Sequence, residues 1–306
     1  MTDTISALPF DHFSGFLKGE GIRIETGPFI TRLQTKLTDV IENLALLYSD
    51  YPISTEAGFS DFHLDIHKPN SIRRWIHPQV NFTFDGITPF KPLPRPQAYA
   101  IFEWGLNWCI SNYAHQYLII HSAVLEKNGA AIVLPGIPGA GKSTLCAGLA
   151  LSGWRLFSDE MALIEPSSGQ LVSSPRPISL KNESINIIKN FSSSAVFGIT
   201  INDTTKGSIA HLKPQIESIQ RCKEKTTPRI IAFPKYRTGA RTSLTPLTKS
   251  RAFMTLCENS FNYSIQGKLG FETIKSLISS CDCFEFEYSS LDEAIKTFDT
   301  LIEQME

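Results

Sequence analysis

A glycine-rich segment at residues 136–143 constrains the fold of this chain more than any other feature. Its letters, GIPGAGKS, match the phosphate-binding loop pattern G-x-x-x-x-G-K-[ST] at every fixed position. The apolar run at residues 130–134 predicts a strand before the loop, and residues 145–151 predict a helix after it. In this arrangement, backbone N–H groups and a helix N-terminus surround a phosphate. The segment therefore predicts a nucleoside triphosphate site.

The loop pattern also assigns contacts within this site. Lys142 would hold the β- and γ-phosphates, and the Ser143 hydroxyl would ligate Mg²⁺. The glycines leave room for backbone N–H groups to approach the phosphate oxygens. The predicted nucleotide-binding residues are Gly136, Pro138, Gly139, Ala140, Gly141, Lys142, Ser143 and Thr144.

Two adjacent acids, Asp159 and Glu160, interrupt the apolar segment 154–164, which we expect to be one strand. Burying such acids is costly unless they have partners. Neighbouring residues on a strand point to opposite faces, so the two carboxylates should have different roles. One would ligate Mg²⁺, and the other would accept the proton of an attacking hydroxyl. The alternative is a solvent-exposed turn, and the flanking apolar residues argue against it.

Composition excludes several other classes of protein. The chain has 306 residues, of which 42% are hydrophobic and 19% charged, as is typical of a soluble globular protein with one or two domains. A formal net charge of -1 gives no field that would attract nucleic acid or an anionic membrane. We expect no signal peptide, no membrane span and six reduced cysteines, hence a cytoplasmic protein.

The pattern of predicted elements changes near residue 116. Residues 1–115 predict a smaller α+β module, with an amphipathic helix around residues 33–44, strands at 62–66 and 80–84, and a helix at 97–113. Residues 116–306 predict a catalytic domain. There, a hairpin turning at Asn128 and Gly129 feeds the phosphate-binding loop. A turn at 166–169 would pair the acidic strand antiparallel with the next one, and a capping box at Ser290 and Glu293 would start the last helix.

Several segments together resemble the HPr kinase/phosphorylase family, and in particular its branch called HPr-kinase-related kinase A. The resemblance covers residues 117–306 and implies an α/β fold. This would be a P-loop kinase domain of HPr-kinase/PEP-carboxykinase-like type with a mixed sheet, beside the smaller α+β N-terminal module. The segments that carry it are His121, 136–144, 154–160, 175–182, 206–212, 233–237 and 258–263.

The resemblance also implies roles for individual residues. Asp159 would be the base that deprotonates a serine-type hydroxyl, and Glu160 would take the position of a second Asp of the family, binding Mg²⁺ through water. His121 would sit near the phosphates. A core histidine on the strand face shared with Tyr117 and Ile119 explains His121 equally well, and the sequence leaves both readings open.

This chain departs from the family at two places. The family segment LEIRG, which supplies a metal-site acid and a basic group, has no clear counterpart. The nearest stretch is residues 180–184, where Lys181 or Glu183 would replace part of it. The first third of the chain also does not look like the regulatory N-terminal domain of HPr kinases. Both departures argue against HPr itself as the acceptor and against the reverse phosphorolysis reaction.

Three basic residues are candidates for stabilising the transferred phosphoryl group: Lys206, Arg237 and Arg241. For each, the alternative is a solvated surface charge. Arg237 is favoured because it follows a buried strand, where functional loops tend to lie. The predicted catalytic residues are thus Asp159, Lys142, His121 and Arg237, and the predicted metal ligands are Ser143 and Glu160.

These observations predict a kinase that uses ATP and Mg²⁺ to phosphorylate a hydroxyl, of serine, on a peptide or protein. A small-molecule kinase acting on a free amino acid, a non-catalytic ATP-sensing regulator and a simple ATPase remain as alternatives. The expected partner is the peptide or protein substrate, without nucleic acid or membrane, and the family implies a homo-oligomer. If residues 1–115 recognise the substrate, their deletion would abolish acceptor use and spare ATP binding.

Overall fold

The computed structural model describes residues 3–70, 76–137 and 139–305. We refer to residues 3–115 as the N-terminal part and to the remainder as the C-terminal part. Short 3-10 turns at Ile5–Ala7 and Arg95–Gln97 accompany the elements of the N-terminal part. These elements are α1 Phe10–Lys18, α2 Thr38–Leu47, α3 Ala98–Tyr113, β1 Asp3–Thr4, β2 Ile22–Thr26, β3 Phe29–Thr35, β4 Pro52–Ser54, β5 Phe62–His67, β6 Gln79–Phe84 and β7 Leu93–Pro94.

The N-terminal part is one twisted sheet covered on one face by helices. Its strand order is β1-β4-β2-β3-β5-β6-β7, with β3 and β5 parallel and the other pairs antiparallel. Side chains in β2 and β3 alternate between buried and half-buried, because one face meets the helices. The predicted helix around residues 33–44 is shorter than expected, since Leu33 belongs to β3 and α2 starts at Thr38.

The C-terminal part holds the remaining described elements. Its helices are α4 Lys142–Leu151, α5 Glu183–Phe191, α6 Ile216–Gln220, α7 Lys249–Glu258, α8 Tyr263–Gln266, α9 Lys268–Ser280 and α10 Leu291–Glu303. Its strands are β8 Leu118–Lys127, β9 Ala130–Pro135, β10 Arg155–Ser158, β11 Met161–Ile164, β12 Leu171–Val172, β13 Ile178–Lys181, β14 Ile201–Thr204, β15 Gly207–Leu212, β16 Thr227–Tyr236, β17 Ser243–Pro246 and β18 Asp282–Tyr288.

The central sheet of the C-terminal part is mixed, as predicted. Its order is β12-β11-β8-β9-β16-β18-β17, and β10 also pairs with β8. The strands β9, β16 and β18 run parallel, whereas the pairs on the β8 side are antiparallel. The turn at 166–169 joins β11 to β12 as an antiparallel pair, which confirms that expectation.

A separate three-stranded sheet, in the order β13-β15-β14, packs against the helix that follows the phosphate-binding loop. One face of β13 is apolar, and Ile178 and Leu180 pack there with Leu145 of α4. Ser179 and Lys181 alternate with these two residues along β13 and therefore lie on its opposite face. The sheet thus brings a second strand beside the loop.

The two parts share a hydrophobic core. The cluster that holds Leu33 and Leu44 of the N-terminal part also contains Ile119, Met161 and Leu163 of the C-terminal part. Within the described residues, no helix is both long and apolar enough to cross a membrane. All six cysteines are free thiols, as expected, and most of them are buried.

Candidate active site

The predicted phosphate-binding loop joins the end of β9 to the start of α4. Gly139 and Gly141 have φ angles of +89° and +88°, a region that favours glycine. Two tyrosines brace the loop: the Tyr288 hydroxyl donates to the Gly141 carbonyl at 2.8 Å, and the Tyr236 N–H donates to the Ala140 carbonyl at 3.0 Å. The loop shape is therefore fixed by strands β16 and β18.

The other loop residues flank this braced segment. Gly136 directly follows β9, and Thr144 lies in the first turn of α4. Pro138, also predicted to contact the nucleotide, lies outside the described residues. The first turn of a helix leaves backbone N–H groups without helical partners, so this end of α4 can bind an anion.

Lys142 is buried at the start of α4 and has no partner for its ammonium. Its side chain nitrogen makes no hydrogen bond to any described residue. Burial lowers the pKa of Lys142, while the charges of Glu160 and Asp159 oppose that shift. A buried ammonium that is not hydrogen-bonded is costly unless an anion binds it, so Lys142 is placed to receive phosphate oxygens.

The acidic pair lies at a bend and not within one strand, so that prediction was wrong. β10 ends at Ser158 and β11 begins at Met161, with Asp159 and Glu160 between them. Both strands pair with β8, and the register shifts within β10, between Leu156 and Ser158. The bend is nevertheless buried at Asp159, which is 4% exposed, so the solvent-exposed turn is excluded as well.

The Asp159 carboxylate faces the phosphate-binding loop. Its Oδ2 accepts from the Ser143 hydroxyl at 3.3 Å and from the backbone N–H of Ser179 at 3.1 Å. Its Oδ1 has no partner among the described residues. Burial and the neighbouring charge of Glu160 raise the pKa of Asp159 to about 6, against the opposing effect of Lys142. Asp159 is thus a carboxylate at neutral pH and a stronger base than an exposed aspartate.

Glu160 points to different partners. Its Oε2 lies 3.3 Å from Nε2 of His121, and its backbone carbonyl accepts from the Ser122 N–H at 3.1 Å. Burial would raise the pKa of Glu160, but the His121 hydrogen bond and the charges of Lys142 and Lys181 bring it down to about 2. Glu160 therefore remains charged, as a metal ligand must.

His121 belongs to this group and is not a core histidine. Its side chain is partly exposed, pairs with Glu160, and packs against the Phe261 ring at a centroid distance of 5.7 Å. Its backbone N–H donates to the Asn259 carbonyl at 2.7 Å. Of the two alternatives, the structure favours a position beside the acidic pair, while the role of His121 in phosphate binding stays a prediction.

Two residues of β13 complete the group, and the sequence did not identify their contacts. Ser179 donates its N–H to Asp159, and its own hydroxyl is buried without a described partner. The charge of Lys181 influences Lys142, Asp159 and Glu160. Glu183, the other candidate replacement for the missing family segment, is exposed at the start of α5.

The three basic residues predicted to stabilise the transferred phosphoryl group have different surroundings. Arg237 is 65% exposed and pairs with Glu287 through Nε at 2.8 Å and Nη2 at 3.1 Å. Arg241 is exposed in a loop. Lys206 lies over the Trp104 ring at 5.3 Å, and its pKa is lowered by burial and by Lys181, against the effect of Glu160. The charge of Lys206 therefore interacts with that of Glu160, whereas Arg237 is engaged with the Glu287 carboxylate.

The residues present fit a triphosphate with Mg²⁺. Buried polar atoms without a described partner include Nζ of Lys142, Oδ1 of Asp159 and Oγ of Ser179. An ammonium suits phosphate oxygens, and carboxylate and hydroxyl oxygens suit Mg²⁺. No three His, Cys, Asp or Glu side chains in the described ranges are grouped to hold a metal on their own. Mg²⁺ would therefore be shared with phosphate oxygens, as is usual for this ion.

Comparisons with known proteins leave the family open. No protein-family model matches the sequence, and a search of curated proteins finds no match. Among solved structures, the chain is similar to the Hpr(Ser) kinase/phosphatase from Coxiella burnetii. The two share 10% sequence identity at a TM-score of 0.26, over 61% of this chain and 95% of the other. A likeness of this size does not establish a common fold.

Proposed function

We propose that this protein is an ATP- and Mg²⁺-dependent kinase that transfers the γ-phosphate to a hydroxyl group, of serine, on a peptide or protein. The observation that carries the proposal is the position of Asp159. Its buried carboxylate accepts from the hydroxyl of the loop residue Ser143 at 3.3 Å, and its other oxygen has no hydrogen-bond partner in the described part of the chain. A protein that only senses nucleotide has little need of a base at this position.

Asp159 would act as the general base. Ser143 and Ser179 hold its Oδ2, so Oδ1 is the oxygen that would take the proton of the acceptor hydroxyl. A base works best when its pKa lies near the working pH, and burial moves the pKa of Asp159 in that direction. A rate gain of about 10²–10⁴-fold is usual for such a group.

The surrounding charges would stabilise the transferred phosphoryl group. Lys142 offers a buried ammonium at the loop, and the charge of Lys181, at the end of β13, acts on both Asp159 and Glu160. Negative charge spreads over the phosphoryl oxygens during transfer, and fixed cations lower its energy. Ser143 and Glu160 would hold Mg²⁺, which, when bound, neutralises charge on the phosphates.

The acceptor part of the proposal has a separate basis. Serine as the acceptor residue, and a peptide or protein as its carrier, follow from the resemblance of residues 117–306 to the HPr-kinase-related branch. A homo-oligomer follows from the same source. The geometry of Asp159 supports transfer to a hydroxyl and is equally compatible with a free amino acid as the acceptor.

The proposal can be tested by following labelled γ-phosphate. Wild-type protein, Asp159→Asn and Asp11→Asn would each be given labelled ATP, Mg²⁺ and a host extract, which is then separated into peptide and small-molecule fractions. Asp11 is an exposed acid on α1, so its variant is a matched control for loss of one carboxylate. ATP affinity would be measured on the same samples.

Each outcome selects one function. Label in the peptide fraction with wild type and Asp11→Asn, but not with Asp159→Asn, supports the proposal. Label in the small-molecule fraction instead identifies a small-molecule kinase. Tight ATP binding without any transfer contradicts a kinase and favours a nucleotide sensor. Hydrolysis at the same rate with and without extract identifies a simple ATPase.

A further inference from the structure

A buried polar cluster links the N-terminal and C-terminal parts of the chain. Its members are Tyr48, Tyr99, Glu103, Asn107 and Arg176. Glu103 of α3 uses both oxygens: Oε1 accepts from the hydroxyls of Tyr48 at 2.9 Å and Tyr99 at 2.6 Å, and Oε2 pairs with Nη1 of Arg176 at 3.3 Å. The other end of the Arg176 guanidinium donates to the Asn107 side chain. An ion pair buried with such partners holds its members in one geometry.

Arg176 belongs to the segment between β12 and β13, and this segment is held at further points. Ser174 donates its N–H to the Phe157 carbonyl at 2.9 Å and its hydroxyl to the Thr26 carbonyl at 3.1 Å. The Tyr51 hydroxyl donates to the Pro175 carbonyl at 3.1 Å. Thr26 and Tyr51 lie in the N-terminal part, so the N-terminal part fixes the path of residues 173–176.

The held segment leads directly to the proposed base. Shortly after Arg176 the chain enters β13, where the N–H of Ser179 donates to Oδ2 of Asp159 at 3.1 Å. Phe157, the residue that Ser174 holds, lies just before Asp159 at the end of β10. Ser174 thus holds β10, the strand that ends just before Asp159, and Ser179 holds the Asp159 carboxylate itself.

We propose that Glu103 and Arg176 are positioning residues for Asp159. They anchor residues 173–181 to the N-terminal part, so that Ser179 orients the carboxylate and leaves its Oδ1 directed at the acceptor. The N-terminal part thereby supplies a component of the catalytic machinery. This inference rests on the proposed function of Asp159 as a general base.

The test compares two ways of loosening the contact between the parts. Arg176→Met keeps an unbranched side chain as long as the arginine stem and removes the guanidinium. Lys213→Met is the matched control, because the Lys213 ammonium also joins the two parts, through Asp50 at 2.6 Å and through Ser49, and both of these partners lie outside residues 173–181. Each protein would be measured for its affinity for Mg²⁺-ATP. The transfer rate of labelled γ-phosphate at saturating ATP would be measured with the acceptor fraction that wild type labels.

Arg176→Met should lower the transfer rate about 10- to 100-fold, because a small displacement of a reacting group has an effect of this size. Its ATP affinity should match wild type, and Lys213→Met should match wild type in both measurements. A wild-type transfer rate in Arg176→Met would overturn the inference. So would an equal loss in Lys213→Met, since that would indicate a general need for contact between the parts.

Two further results keep the test decisive. If Arg176→Met no longer binds ATP, Asn107→Ala takes its place, since Asn107 is only partly buried and supports the guanidinium from the side. It should lower transfer by a smaller factor with ATP affinity intact, and an unchanged rate would overturn the inference. If wild type itself transfers no phosphate, the proposed function fails and this inference fails with it. A loss of transfer in Lys213→Met but not in Arg176→Met refutes the inference and leaves the proposed function standing.

Discussion

Asp159 and Glu160 are neighbours in the chain with opposite electrostatic surroundings. Their adjacency in an apolar segment indicated that both acids are functional. Because side chains alternate along a strand, we expected the two carboxylates to face opposite sides and to have different roles. The observed reason is a bend between β10 and β11. Asp159 turns to Ser143 and Ser179, while Glu160 turns to His121. The two acids thus have different partners because of the bend, and the division of their roles stays a prediction.

The raised pKa of Asp159 predicts a stability effect with a definite sign. In the folded protein this carboxyl holds its proton up to about pH 6, above its ordinary range, so its contribution to stability is present at low pH and lost as pH rises through 6. Asp159→Asn should therefore have a higher free energy of unfolding than wild type at pH 8, by on the order of 1 kcal/mol.

Denaturant unfolding without nucleotide or Mg²⁺, at pH 5 and pH 8, measures this difference. The two proteins should be closer in stability at pH 5 than at pH 8. Asp11→Asn serves as the control, because it removes one exposed carboxylate at a distance in the chain from the site. A wild type that is more stable than Asp159→Asn at pH 8 would contradict the burial of an ionised Asp159.

Other residues of the site could not be predicted from the sequence. The loop motif identified Lys142 and Ser143, because its spacing is fixed by local backbone geometry. Ser179 carries no such pattern. It reaches Asp159 only because β13 pairs with β15 and packs on α4, and contacts between distant segments leave no periodic signal. Arg237 was predicted by its place after a strand, and the sequence did not indicate its pairing with Glu287.

At the scale of elements, the phosphate-binding loop depends on strands that follow it much later in the chain. A Cβ at Gly141 would lie 2.5 Å from the Tyr288 hydroxyl and 2.8 Å from Cβ of Tyr236, whereas a Cβ at Gly139 would meet nothing within 4 Å. Both glycines have nearly the same φ angle. Substitution at Gly139 therefore tests backbone strain alone, whereas substitution at Gly141 adds a steric clash with the two tyrosines.

Gly141→Ala should destabilise the protein more than Gly139→Ala. Both variants carry the strain of a positive φ, about 1–2 kcal/mol. Gly141→Ala must also displace the two tyrosines, and overpacking of this kind costs about 1–3 kcal/mol more. Thermal unfolding of the nucleotide-free proteins measures the difference. Equal melting temperatures would show that Tyr236 and Tyr288 do not brace the loop.

Local signals predicted the elements around the loop well. The turn at Asn128 and Gly129 joins β8 to β9, and the Ser290 hydroxyl accepts from the Glu293 N–H at 3.3 Å at the start of α10. Both signals act within a few residues. The parallel pairing of β16 with β9 and β18 joins distant segments, and no pattern in the sequence specified it.

At the scale of the whole molecule, the boundary near residue 115 separates the N-terminal sheet from the two sheets of the C-terminal part, but one hydrophobic cluster spans this boundary. Ile119, Met161 and Leu163 pack in the same cluster as residues of the N-terminal sheet. The Glu103–Arg176 pair and the Lys213–Asp50 pair also cross the boundary. Recognition of the acceptor by residues 1–115 stays a prediction, and these contacts give the same residues a structural role as well.

A fragment of residues 116–306 should therefore not bind ATP as the full chain does. Removing the N-terminal part exposes the apolar side chains of β8 and β11 and leaves Arg176 without its carboxylate. We expect the fragment to aggregate or to lose ATP affinity, measured by equilibrium binding beside the full chain. A soluble fragment with full-length ATP affinity and no transfer would instead favour a detachable module for acceptor recognition.

The most direct test of the account is the effect of Asp159→Asn on phosphoryl transfer and on ATP binding, measured in the same preparation. As the general base, Asp159 should contribute about 10²–10⁴-fold to the transfer rate. We expect Asp159→Asn to lose transfer by a factor of that size with ATP affinity changed far less, because Lys142 and the loop remain in place. Transfer at the wild-type rate would contradict it, since the buried carboxylate beside the phosphate-binding loop would then have no part in the reaction.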